Sequence, residues 1–184
     1  KHLASNPTRV NKSLNVYGTD INIEENVNIT YYFGPDGKAI KGFHTIDGQT
    51  YYFNEKGWAL DGIIHEKDGD YFLQNYHLIY NQFVNTYSDN QDDKTITGTY
   101  YVNGEGKVQV GWLNKDNNRY YLDPEAGGKV TYGWKEIDNK FYHFTEKDNQ
   151  DSAGQLIRNQ LYQDGDILVT IDQEGIVTRS TEKR

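Results

Sequence analysis

The chain has 184 residues and a formal net charge of −8, with 35% hydrophobic residues and no Cys. The negative balance argues against nucleic acid, which is bound first through Lys and Arg on phosphates, and it offers no attraction to an anionic membrane. Missing Cys exclude a disulfide framework and thiolate chemistry, and no apolar run approaches the length of a membrane span.

Burial must therefore rest on rings: 16 Tyr, 7 Phe and 3 Trp. Each supplies a large apolar area, and Tyr and Trp add a polar edge that can face water or a ligand. Residues 1–30, KHLASNPTRVNKSLNVYGTDINIEENVNIT, are rich in Asn and hold no repeat, which predicts an irregular lead-in or cap. The sequons at Asn11 and Asn28 are of a kind common by chance. With Lys1 first, no Met and no signal peptide, the chain reads as a piece of a longer polypeptide.

From residue 31 onward the chain repeats. Tyr31 begins YYFGPDGKAIKGF, Tyr51 begins YYFNEKGWALDGI and Asp70 begins DYFLQNYHLIYNQF. Tyr100 begins YYVNGEGKVQVGW, Tyr120 begins YYLDPEAGGKVTYGW and Phe141 begins FYHFTEKDNQDSAGQLIRNQL. The middle rings Tyr32, Tyr52, Tyr71, Tyr101, Tyr121 and Tyr142 are 20, 19, 30, 20 and 21 residues apart, the long step carrying the insertion NTYSDNQDDKTITG. Such a period marks a solenoid in which each unit packs on its neighbours.

Within a unit, an aromatic run, a turn such as GPDG or NEKG, and a second short run predict a β-hairpin. The second run ends in Gly plus an apolar residue, as at Gly111-Trp112 and Gly133-Trp134. The tail GDILVTIDQEGIVTRS reads as a degenerate closing unit. The predicted fold is all-β, a solenoid of stacked hairpins of about 20 residues, with a lead-in over 1–30 and the repeat domain over 31–184.

These units resemble the glucan-binding and cell-wall-binding repeats of Gram-positive surface proteins, a group that includes choline-binding modules and clostridial toxin repeats. The resemblance spans residues 31–180. Choline modules are similar in GWLNKDNNRYYL but carry Trp before the Tyr pair, whereas this chain has Thr30, Thr50, Gly69, Thr99, Arg119 and Lys140 there. None is aromatic and two are cationic, which disfavours a quaternary ammonium. The glucan-binding branch is similar in YYFGPDGKAIKGFHTIDGQTYYF, and its pocket Lys falls on Lys41. The pocket Gln falls on Ala39, a departure, and later units place Asp61, Tyr80, Val110, Tyr132 and Arg158 at the Lys position.

The resemblance implies a non-catalytic module that retains an α-glucan, secreted or at the cell surface, as an accessory domain of a secreted glucansucrase or a related surface protein. A partly exposed ring can cover the C–H face of a pyranose while amides, carboxylates or Lys take the hydroxyls. The expected carbohydrate contacts are Tyr31, Lys41, Tyr51, Trp112, Tyr120 and Trp134. Because the middle Tyr recurs while its predecessor varies, the middle ring is expected in the core and the variable one at a site.

Catalysis has little support. Asp36, Asp68, Asp92, Asp93, Asp123 and Asp164 fall in turns, and short hairpins offer no deep cleft to raise a carboxylate pKa. His44, His65, His77 and His143 lack zinc spacing, and SDNQDDK lacks the Gly and final Glu of a calcium loop. No cofactor or metal is expected. Two other readings stand beside the glucan module: a structural or protein-interaction scaffold, and a toxin-type module for host glycans.

Overall fold

A computed structural model describes residues 8–14, 25–34, 36–89, 94–149 and 151–182, with side chains described for 32–34, 36–85, 98–149 and 151–179. The fold is an all-β solenoid of stacked hairpins. The chain divides into two compact units, residues 1–81, 86–96 and 104–107, and residues 82–85, 97–103 and 108–184.

The first unit opens with β1 (Thr8–Leu14) paired antiparallel to β2 (Glu25–Tyr31). The segment expected to be irregular thus contains a regular ladder, and the boundary drawn at residue 30 falls inside β2. Alternating polar residues in NVNIT gave no repeat signal, but extended backbone needs only a partner strand. Next come β3 (Gly42–Ile46) with β4 (Gln49–Phe53), then β5 (Gly62–Glu66), β6 (Gly69–Gln74) and β7 (His77–Leu78) in the order β7-β6-β5. Asp89 of β8 (Gln82–Asp89) bridges Ile63 of β5 in parallel.

The second unit takes the first residues of β8 and the last of β9 (Lys94–Val102). It continues with β10 (Gly111–Lys115), β11 (Asn118–Asp123) and β12 (Lys129–Val130), then β13 (Gly133–Ile137) with β14 (Lys140–Phe144). It closes with a sheet of β15 (Gln160–Asp164), β16 (Ile167–Ile171) and β17 (Val177–Glu182).

The hairpins are framed differently from the sequence expectation. The long ladders join the Gly-apolar strand to the aromatic strand that follows it, through Asp47-Gly48, Asp116-Asn117 and Asp138-Asn139. All six of these residues have positive φ, from 50° to 80°. Two left-handed central residues make a type I′ turn, whose twist matches that of paired strands. The GPDG and NEKG turns instead close one-residue bridges, Phe33 to Ala39 and Phe53 to Ala59. These linking turns are held by side chains: Asn54 Oδ1 accepts from the N–H groups of Lys56 and Trp58 at 2.9 Å each. Asp172 does the same for Glu174 and Ile176.

Replacing Asn139 (φ 59°) with Val should therefore cost about 1–2 kcal/mol, the penalty for a branched residue in left-handed backbone, while Asn139→Gly should cost nothing. Urea unfolding of the two variants checks this.

The linking strand pairs back on the same rung throughout. The carbonyls of Tyr32, Tyr52, Tyr101, Tyr121 and His143 accept from the N–H groups of Ile40, Leu60, Gln109, Thr131 and Ile157, each at 2.9 Å. The deepest position is the third of each aromatic triplet: Phe53, Leu73, Val102, Leu122 and Phe144 are at most 1% exposed. Strand alternation puts the first residue of the triplet on that same side, so Tyr100 and Tyr120 are buried too. The middle residue is buried at Tyr32, Phe72, Tyr101 and His143 and half-buried at Tyr52 and Tyr121. Tyr71 and Tyr142, counted with the middle rings by sequence, stand instead at the first position of their triplets and are buried there. Tyr52 donates its phenol proton to Glu66 at 2.5 Å, and burial together with that carboxylate pushes its pKa up to about 12.

Candidate functional site

The register creates a recurring aromatic corner. The apolar residue at the second position of the strand faces its cross-strand partner and meets a ring from a further strand. In the first unit Phe43 lies 4.8 Å from Tyr52 and 4.7 Å from Tyr71 between ring centroids. In the second unit Phe83 lies 5.2 Å from Tyr101 and 5.0 Å from Tyr120. Trp112 lies 5.1 Å from Tyr121 and 5.0 Å from Tyr142. These contacts are edge-on or tilted, the arrangements that aromatic quadrupoles favour in a core.

The Trp134 corner is built otherwise. Its cross-strand partner is His143, stacked at 4.2 Å with 24° between planes, and Tyr162 of β15 lies 4.2 Å from His143 and 5.8 Å from Trp134. His143 is buried, while Trp134 is 39% exposed. The indole Nε1–H donates to Asp164 Oδ2 at 2.8 Å, fixing the ring's orientation. Beside it runs a groove of about 290 Å³ lined by Trp134, Phe141, Asp164, Ile167, Val169 and Val177. One carboxylate on an otherwise apolar wall with an upright indole is suited to a ligand with one apolar face and a polar rim.

Protein cations lie over the rings of the other corners. Lys107 Nζ is 5.7 Å from the Tyr71 centroid, Lys115 Nζ is 5.9 Å from Tyr101, and the Arg119 guanidinium is 3.9 Å from Trp112. Among the described residues no Lys or Arg lies over Trp134.

The remaining expected contacts are distributed as follows. Lys41 Nζ pairs with Glu55 at 3.0 Å, both side chains largely exposed. Tyr51 is half-buried, edge-on to His77 at 4.7 Å, its hydroxyl 3.5 Å from Gln49. Tyr120 is 9% exposed and enclosed by Phe83, Leu113 and Leu122. Tyr31 ends β2, and its side chain lies outside the described residues. His143, Tyr162, Asp164 and Phe141 were not singled out as contacts from the sequence. Pairing across the Asp138-Asn139 turn would have placed His143 opposite Trp134, but the groove needs the stacking of β15 to β17.

Burial holds the His143 pKa below the ordinary histidine value of 6.5, against the opposing pull of Glu146, whose carboxylate is 3.6 Å from Nε2, and of Asp164. The Tyr162 phenol also faces this ring, its own pKa raised by burial and by Asp164 and Glu146. As pH falls below about 6.5 the unfolded chain takes up this proton first, so stability is lost through the window down to the folded-state value. Wild type should therefore lose more stability than His143→Phe between pH 7 and 5. Urea midpoints of both across that range test it, and equal slopes would refute it.

A family model described as a putative cell wall binding repeat matches residues 41–57 and 110–125. Glucosyltransferase-S of Streptococcus mutans serotype c is 31% identical, the match covering 50% of this chain and 9% of that protein. Glucosyltransferase-I of Streptococcus downei is also 31% identical, over 50% of this chain and 5% of the relative. The chain thus spans less than a tenth of the curated relatives it matches. Among solved structures, choline binding protein F from Streptococcus pneumoniae superposes with a TM-score of 0.62 at 18% identity, covering 97% of this chain and 56% of that one. The modular autolysin LytC from the same organism gives 0.60 at 14% identity, covering 88% and 33%. At such identities the likeness is one of fold.

Proposed function

We propose that this run of cell-wall-binding repeats is a non-catalytic carbohydrate-binding module that retains an α-glucan, dextran-like polymer. The observation that carries the reading is the Trp134 corner: an exposed indole held by Asp164 over an apolar groove. A pyranose laid on the indole buries its C–H patch, and the Asp164 carboxylate accepts from a hydroxyl on its rim. The similarity to two streptococcal glucosyltransferases favours glucan as the polymer. On this reading the chain is an accessory part of a larger secreted or cell-surface enzyme of a Gram-positive bacterium. The repeats from residue 31 onward form the binding domain.

Lys41 and Tyr51, with Tyr31, provide a second and weaker contact in the first unit. Trp112 and Tyr120 serve the stack. Weak pockets suffice, because several contacts on one polymer turn later binding events intramolecular.

Native electrophoresis through a matrix with and without dextran, with choline as a soluble competitor, tests the proposal. Retardation by dextran that choline does not relieve is the expected result. Folded protein that migrates unretarded would instead favour a structural scaffold, the reading supported by the three corners whose rings lie under the protein's own cations.

A further inference from the structure

We infer that Arg119 is the built-in occupant of the Trp112 corner and the residue that determines its specificity, closing it to external cations. Strand β11 pairs with β10 so that Tyr121 opposes Trp112 and Arg119 opposes Asn114. Residues two apart share a face, so Arg119 and Tyr121 rise on the same side of the ladder as Trp112. The guanidinium lies 3.9 Å from the indole centroid, within the range of cation–π attraction. Tyr121 and Tyr142 stand edge-on to that indole at 5.1 and 5.0 Å.

A second observation supports the assignment. Arg119 Nε is buried and has no hydrogen-bond partner. A buried guanidinium N–H without an acceptor is costly. It persists where the planar cation stacks on a ring, a contact Arg makes better than Lys because its charge is delocalised and weakly hydrated. Burial chiefly, with Asp123, Asp138 and Glu125 adding to it and Lys135 opposing them, raises the Tyr121 pKa. The Trp112 corner therefore has the parts of a cage for a small organic cation, the rings of Trp112, Tyr121 and Tyr142, and Arg119 occupies it. Among the described residues the corner at Trp134 has no such occupant, so the two tryptophans have different access to ligand.

The inference is independent of which glycan, if any, the chain retains, so it can fail without touching that proposal and survive its failure. The test uses tetramethylammonium and choline chloride as probes, with NaCl at matched ionic strength, and follows the Trp112 indole N–H by NMR together with the melting temperature. In the wild-type chain the Trp112 signal should not respond at millimolar probe. Arg119→Ala should show a saturable shift there, at least tenfold tighter than any wild-type response, and a probe-dependent rise in melting temperature. A folded Arg119→Ala that responds no more than wild type overturns the inference, as does saturable binding at Trp112 in the wild type. If Arg119→Ala does not fold, the wild-type chain still decides. The Arg119 side-chain protons must be moved upfield by the indole ring current, and ordinary shifts would refute the stacking.

Discussion

Trp134→Ala is expected to abolish retardation by dextran and to weaken binding of a short dextran oligosaccharide at least tenfold, about 1.4 kcal/mol or more. Phe141 is the other exposed ring on the groove wall, but Trp134 is the one that also holds the Asp164 carboxylate in place. Removing it also uncovers His143, which is buried beneath the indole. Trp134→Phe keeps a ring face but loses the N–H donated to Asp164, so it should retain part of the binding. Calorimetric titration of the three proteins, each shown to be folded by circular dichroism, measures the effect. Undiminished affinity in a folded Trp134→Ala would move the glycan site elsewhere.

Gly128→Ala should be strongly destabilising, at about 3 kcal/mol. Its φ of 89° is left-handed, and a Cβ there would come within 2.8 Å of both the Gln109 carbonyl oxygen and Val108 Cγ1. Left-handed backbone costs a residue with a Cβ roughly 1–2 kcal/mol, and overpacking adds roughly 1–3 kcal/mol. The neighbouring Gly127 supplies the control. Its φ is 65°, but a Cβ there would meet nothing within 4 Å, so Gly127→Ala should show the backbone cost alone, about 1–2 kcal/mol. Chemical unfolding of the pair separates strain from collision, and equal losses would mean that the linking strand gives way.

The same contrast explains what could be read in advance. The period near 20 and the Gly-rich punctuation were legible because turn preferences act over a few residues. The framing of the hairpins was harder, since GPDG and DG are both turn signals. Only pairing shows that Asp47-Gly48 closes a five-residue ladder while GPDG closes a single bridge. Tyr120 shows the limit of reasoning from variation. Its position differs from unit to unit, yet strand alternation places it beside the buried Leu122, so its ring belongs to the core. Trp112 and Trp134 are indistinguishable as Gly-Trp pairs. One lies beneath Arg119, which follows it in the same hairpin, and the other on His143 beside Asp164, which lies 30 residues away.

By itself the sequence determined that the chain is a run of β-hairpins holding itself together with rings, because repeat period, strand formers and turn residues act locally. The tertiary structure decided which rings are open to a ligand. Arg119 and His143 come from the same hairpins as their tryptophans, but Tyr142, Tyr162 and the groove beside Trp134 arrive only when the next hairpin stacks on the last.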